Sequence, residues 1–308
     1  MPSVIFSNMH PQDFDAFTMM FNRMGWRVYI PSDKEPNYFE YGATTSPTKG
    51  DYTMITHQEF LDIKPDVVLC LCLDQLKTST KLAAQTGSKF VVRAGNNDVP
   101  YNRSHSNFLI TNDTHTYKNC DIPNKLFFYL PPDYDFYRKQ KWQEDSMIVT
   151  SYIHYYKKYW QKSYHKYDII RRANDDIAFI NFGVSGTDEY APSLTNPNDV
   201  RRTLGFSRCS LHIKEREGYG WSILEAISCG IPVIAPKVYV VGKTCESFLV
   251  ENKSVVFIEN TADFRKAFDN VDHLYTIAEI APQFIRQFIN ADEQSAKVKK
   301  FFEEIVLA

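Results

Sequence analysis

From Cys209 to Ala235 the chain reads CSLHIKEREGYGWSILEAISCGIPVIA: an apolar strand, a loop with two glycines, an apolar helix stopped by Gly230, and a second buried strand. A strand–helix–strand unit of this length belongs in a parallel sheet covered by helices. The same grammar recurs elsewhere. In the first half, Ser3–Ser7, Arg27–Ile30, Asp66–Leu73, Lys89–Arg93, Phe108–Thr111 and Leu126–Leu130 read as strands. The run DVVLCLCL in the third of these is continuously apolar, as a central parallel strand should be. Phe14, Phe17, Met20, Phe21 and Met24 recur at helical spacing before Gly25, and Thr78–Gln85 reads as a helix ended near Gly87. Pro31–Thr56 is polar, with Pro and Gly, and reads as a long loop.

Pro131–Pro132 interrupts this alternation, and Asp133–Asp145 lacks a clean period. With 308 residues, two cores are expected, and the interruption is where one would end. The expected organisation is residues 1–135 as one Rossmann-like domain, 136–290 as a second, and 291–308 as a closing helix. Strands are predicted at Met147–Ser151, Ile177–Phe182, Cys209–Ile213, Pro232–Ala235 and Ser254–Ile258. Two such sheets facing each other put a ligand cleft at the C-terminal ends of their strands.

The loop between Cys209 and the helix carries chemistry. Gly218 and Gly220 let the backbone approach a ligand, and the helix that follows offers N–H groups and a positive dipole end to a phosphate. Glu217 and Glu225, on either side of the helix start, would repel phosphate; carboxylates suit sugar hydroxyls, from which they accept hydrogen bonds. This stretch, Glu217 to Lys237, resembles the E-x7-E signature of family-4 retaining glycosyltransferases, usually close to EGFGLPLLEAMACGTPVIA. Weaker likenesses lie at Gly25–Val28, Leu130–Phe136 and Phe288–Phe302.

The resemblance implies an α/β GT-B fold, two Rossmann-like domains across a cleft, with a nucleoside diphosphate sugar of the GDP-mannose or UDP-glucose type as donor. It implies that Glu225 binds the donor ribose and that Glu217 contacts the donor sugar near its reacting face, as the catalytic position. Gly218, Tyr219, Gly220, Trp221 and Ser222 would line the diphosphate, with Lys157 or Lys158 stabilising it as it leaves. The other reading of these lysines is a solvated helix start. The acceptor, a glycan or a protein, would lie against the first domain, where His10, Arg93 and Asn96 (with Asn97) follow strands. The chain departs from the family pattern in having His10–Pro11 in place of a glycine-rich loop, Ser151–Tyr152 in place of Gly–Arg, and a short interval from Phe182 to Cys209.

Other signals point less far. Asp133–Tyr134–Asp135 is a literal D-x-D, a metal motif in another glycosyltransferase fold, but it follows Pro131–Pro132 at a domain junction; neither metal nor cofactor is expected. Tyr152–Arg172 mixes six basic residues with seven aromatics, which suits a nucleic acid or membrane surface. The net charge of −2 argues against a nucleic-acid partner, and an amphipathic helix with inward tyrosines is the simpler account. No apolar run is long enough to span a bilayer. The six cysteines lack zinc or redox spacing, and Met1–Val4 opens no signal peptide, so buried thiols in a reducing cytoplasm are expected. A silent sugar-nucleotide binder and a sugar-nucleotide epimerase are the alternatives.

Overall fold

The computed structural model describes residues 1–6, 11–32, 49–70, 76–94, 103–104, 106–183, 194, 196–215 and 217–307. The chain divides into two compact units, Met1–Pro131 with Ile289–Ala308, and Pro132–Phe288.

The first unit holds β1 (Ser3–Phe6), α1 (Pro11–Arg23), β2 (Arg27–Pro31), β3 (Thr53–Ile55), α2 (His57–Ile63), β4 (Val67–Cys70), α3 (Leu76–Thr86), β5 (Lys89–Ala94), β6 (Phe108–Thr111), α4 (Thr114–Asn119) and β7 (Asn124–Phe127). The strands form one sheet in the order β3-β2-β1-β4-β5-β6-β7, with parallel neighbours throughout. β1 and β4 are buried along their whole length, which explains the unbroken apolar runs Val4–Phe6 and Val67–Cys70. The aromatic stripe of α1 packs on β1: Phe14, Phe17 and Phe21 ring the side chain of Phe6, with centroids 6.3, 6.3 and 5.5 Å away.

Two features of this unit differ from the sequence reading. Within Pro31–Thr56, Thr53–Ile55 pairs in parallel with β2 instead of forming loop. A three-residue strand at a sheet edge, with two of its side chains exposed, is too short to show a period. Thr56 caps α2, its hydroxyl accepting from the Glu59 amide while Glu59 reaches back to Thr56. The last strand lies two to three residues earlier than expected, at Asn124–Phe127.

The second unit holds β8 (Ile148–Ser151), α5 (Tyr156–Tyr159), α6 (Gln161–Arg172), β9 (Ala178–Asn181), α7 (Pro197–Leu204), β10 (Cys209–Leu211), α8 (Trp221–Ser228), β11 (Val233–Pro236), α9 (Lys237–Val240), β12 (Val256–Ile258), α10 (Thr261–Asp269) and α11 (Val271–Phe288). Its parallel sheet runs β12-β11-β10-β8-β9. Counted along the chain, this is a 2-1-3-4-5 doubly wound order, whose direction of winding reverses between β8 and β10. Ligands of such sheets bind outside the strand ends at that reversal. α8 is apolar nearly all round because it is packed from both sides, lying against β11 and α11.

The chain then returns to the first unit as α12 (Ala291–Leu307), where Phe302 meets Phe21 and Trp26 at 5.0 and 5.6 Å. No helix among the described residues is long and apolar enough to cross a membrane. Cys70 is buried; Cys120, Cys209, Cys229 and Cys245 are buried free thiols, and burial pushes the Cys209 thiol up to about 12.

Candidate active site

The segments that follow β8 and β10 meet at the reversal of the second sheet. Leaving β8, the chain passes Ile153, whose amide donates to Asn181 Oδ1 at 2.9 Å and whose carbonyl accepts from Asn181 Nδ2 at 3.0 Å. Gly183 lies against this turn; a Cβ there would sit 2.1 Å from the Ile153 carbonyl oxygen, so no side chain is accommodated. The segment 152–172 is two helices, not one, divided at Trp160, which leaves helical geometry. Tyr156 and Tyr167 point inward and are fully buried, while Tyr155 and Tyr159 are exposed.

These helices pin the loop beyond β10. The Tyr156 hydroxyl donates to the Ile213 carbonyl at 2.6 Å, and the Glu215 amide donates to Ser163 Oγ at 2.9 Å. Lys214 lies between the two pins, its Nζ 5.1 Å from the centroid of the Trp160 ring.

Glu217 is the centre of the loop. Its Oε1 accepts from the amides of Gly218 and Gly220 at 3.1 and 3.2 Å. Its Oε2 accepts from His212 Nε2 at 2.9 Å and lies 3.2 Å from Lys214 Nζ. A carboxylate only accepts, so the imidazole carries a proton on Nε2. Burial works against the charge of Glu217, but Lys214 and His212 outweigh it and hold the carboxyl well below the usual carboxylate range. Gly220 caps α8 with φ of 80°, a left-handed conformation that glycine adopts without strain. Tyr219 is buried against Trp221 and Phe248, and Trp221 and Ser222 are half-buried at the start of α8.

Glu225 lies one turn further along α8 and is 2 % exposed. Its Oε1 accepts from the Tyr137 hydroxyl at 2.8 Å, and its charge helps to raise the pKa of the nearby Tyr152 phenol, after burial.

Of the residues singled out from sequence, Glu217, Gly218, Tyr219, Gly220, Trp221, Ser222 and Glu225 lie on this loop and helix. Lys157 and Lys158 are exposed on α5, with their ammonium groups over Tyr164 and Tyr159 at 5.4 and 4.9 Å. Arg93 belongs to the first unit and is largely buried, paired with Asp13 at 3.2 Å. His10, Asn96 and Asn97 lie outside the described residues. Asp133 turns back on its own segment, accepting from the amides of Asp135 and Phe136, and Asp135 pairs with Arg286 at 2.8 Å. Sequence reasoning missed His212, Lys214 and Tyr137. The first two had a readable signal, since His212, Lys214 and Glu217 follow β10 within six residues; Tyr137 lies in an aperiodic segment.

No protein-family model and no curated protein sequence matches this chain. Solved structures do. The chain is similar to the HepE protein of Anabaena crystallised with UDP and glucose, with a TM-score of 0.65 and 10% identity over 99% of this chain and 100% of that one. It is similar to sucrose-phosphate synthase of Thermosynechococcus elongatus, with a TM-score of 0.67 and 9% identity over 99% of both chains. A glycosyltransferase of Rickettsia africae gives 0.60 and 12% over 99% and 98%.

The fold is GT-B.

At these identities the likeness carries architecture alone. The GT-B reading of the fold, expected from the Glu217–Lys237 stretch, therefore holds over the full length of the chain.

Proposed function

We propose that this chain is a retaining glycosyltransferase that moves a hexose from a nucleoside diphosphate sugar to a glycan or protein acceptor. The observation that carries the reading is where the Glu217–Gly220 loop and the Glu225 helix stand: at the strand ends beside the winding reversal of the second sheet, where doubly wound folds bind nucleotides. The similar HepE structures contain UDP with glucose, and UDP-glucose, which supports a donor of that class. GDP-mannose is the other candidate, from the sequence resemblance.

In the proposed reaction the bond from the sugar C1 to the diphosphate oxygen breaks, positive charge develops on the sugar, and the acceptor oxygen attacks the same face. The acceptor proton passes to the leaving phosphate, so no side chain is assigned as general base. Glu225 takes the ribose hydroxyls, in the place where the Tyr137 phenol now donates. The amides at Trp221 and Ser222, at the positive end of α8, face the diphosphate. Arg93 is kept for the acceptor, on the first unit. No metal is required.

The test is calorimetric titration of UDP-glucose and GDP-mannose, with and without EDTA, followed by an assay of donor hydrolysis. Binding of one donor, unchanged by EDTA, is expected, with slow release of sugar. Glu225→Gln should raise KM for that donor most, because its hydrogen bonds serve ground and transition states alike. If neither nucleotide sugar binds, the reading falls. Tight binding without any hydrolysis or transfer would make the chain a silent binder.

A further inference from the structure

A carboxylate offers about four acceptor positions, and each one on Glu217 has a donor within the protein: two glycine amides on Oε1, and His212 with Lys214 on Oε2. Such a group has no capacity left to accept from a sugar hydroxyl. What it does instead is visible in its partners. It bends the backbone of Gly218 and Gly220 around itself, and it anchors a lysine.

The cluster also has a direction. The side chains of His212 and Glu217 are 6% and 10% exposed, whereas that of Lys214 is 24% exposed. Lys214 is the member through which the cluster reaches the surface. Its ammonium has three N–H groups. One is used on Glu217; the Trp160 ring accounts for one flank. Donor capacity remains. The backbone on both sides of Lys214 is fixed, by Tyr156 on Ile213 and by Ser163 on Glu215, and its ammonium is held by Glu217 and Trp160, so little rotamer entropy is left to lose. Because Glu217 shares its charge among four donors, the lysine is held without being fully neutralised. Lys157 and Lys158 have none of this support, since both are exposed, with their ammonium groups over the half-buried ring of Tyr164 and the exposed ring of Tyr159.

The geometry points to Lys214 as the cation that binds the diphosphate of the donor, with Glu217 as a positioning residue that holds it. This rests on the nucleotide-sugar reading of the same site. During transfer the electron pair of the broken bond goes to the diphosphate oxygen, and Lys214 offsets that charge by hydrogen bonding without giving up its proton.

The experiment titrates UDP and uridine, and GDP and guanosine, into the wild type and into Lys214→Met, Lys214→Arg and the Lys157→Ala/Lys158→Ala double variant. The gain in affinity of the diphosphate over its nucleoside isolates the phosphate contact from folding and from base recognition. In Lys214→Met that gain should fall by ~10-fold or more, as expected for loss of a charged hydrogen bond. Lys214→Arg should recover part of it, and the Lys157/Lys158 variant should keep nearly all. A second arm tests Glu217. If it acts by holding Lys214, then Glu217→Gln lowers the same gain, and the Lys214→Met/Glu217→Gln double variant is no worse than Lys214→Met alone. Additive losses would mean that Glu217 contacts the donor independently. A full diphosphate gain in Lys214→Met, or its loss in the Lys157/Lys158 variant, overturns the assignment while leaving the nucleotide-sugar reading intact. If the wild type binds neither UDP nor GDP, that reading itself fails, and the Lys214 proposal falls with it.

Discussion

Each unit carries a buried charge near the ends of its parallel strands, and the two are completed to different degrees. Glu217, in the second unit, is an anion with two amides, an imidazole and an ammonium around it. Arg93, at the end of β5 in the first, is a cation that meets Asp13 at 3.2 Å and Asn112 Oδ1 at 3.5 Å, while its own Nε and the Nδ2 of Asn112 are buried without a hydrogen-bond partner among the described residues. Full satisfaction makes a buried polar cluster rigid and specific. A partly satisfied one costs stability and keeps donor capacity for something else. The comparison therefore separates scaffold from open chemistry. Around Glu217 that open chemistry has moved one residue outward, to Lys214. In the first unit it remains on Arg93 and Asn112 themselves.

The largest expected effect is at Arg93. Arg93→Ala takes an ion partner from the largely buried Asp13, and breaking a buried pair costs about 3–5 kcal/mol. Since the two side chains are 12% and 11% exposed, the lower end of that range is expected, read by urea denaturation. A loss under about 1 kcal/mol, the size of a surface pair, would show that solvent reaches Arg93 freely and would break the comparison.

Glu217→Gln is next, at about 2 kcal/mol, the scale of hydrogen bonds to a charged group. Gln keeps one oxygen for the glycine amides and turns an NH2 toward Lys214 and His212, where only an acceptor fits. The pH dependence sharpens the assignment. The folded carboxyl of Glu217 titrates below its ordinary value of 4.5, so its ionised form stabilises the fold above that pH. The stability gap between wild type and Glu217→Gln should hold from pH 7 to about 5 and shrink as the pH falls further. Denaturation curves at several pH values check this. A gap that widens toward low pH would mean that the carboxyl is protonated in the fold, and the four-donor account would be wrong.

Much of this architecture was legible because its signals are local. The buried strands β4 and β11 are apolar from end to end and β1 is so after Ser3, and the loop from Glu217 to Gly220 announces a tight approach to the helix start. β3 was not legible, since it is three residues long and its strand character comes from pairing with β2. The capping box at Thr56 and Glu59 was in the sequence, but Thr56 closed a stretch read as loop and Glu59 lay just beyond it. At the site, the types of residue were readable and their partners were not. Glu217 reads as a hydroxyl acceptor until the fold shows which donors it already has. Lys157 and Lys158 read as phosphate cations because they follow β8, whereas the pinning of Lys214 depends on Tyr156 and Ser163, which lie 57 and 52 residues from the backbone groups of Ile213 and Glu215 that they bind, a separation no local pattern reports.

The smallest expected effect concerns the second carboxylate of the same loop and helix. Glu225 differs from Glu217 in that it accepts from a hydroxyl 88 residues away, that of Tyr137, whereas His212 and Lys214 lie within five residues of Glu217. A phenol O–H donating to a carboxylate has the same chemistry as a ribose O–H doing so. If the donor ribose takes this position, Tyr137 must give it up, and the bond it loses is subtracted from the affinity for donor. Tyr137→Phe keeps the ring and removes the competitor. It should lower the melting temperature slightly, because Glu225 loses a hydrogen bond, and it should tighten binding of UDP-glucose or GDP-mannose by on the order of a few-fold. Glu225→Gln should act in the opposite direction on donor binding. The pair of variants, titrated by calorimetry and melted in parallel, distinguishes competition from support. Weaker donor binding in Tyr137→Phe would mean that the phenol orients Glu225 for the ligand. In that case the protein would hold Glu225 in place for the ligand, as it holds Glu217, and the contrast between the two carboxylates would disappear.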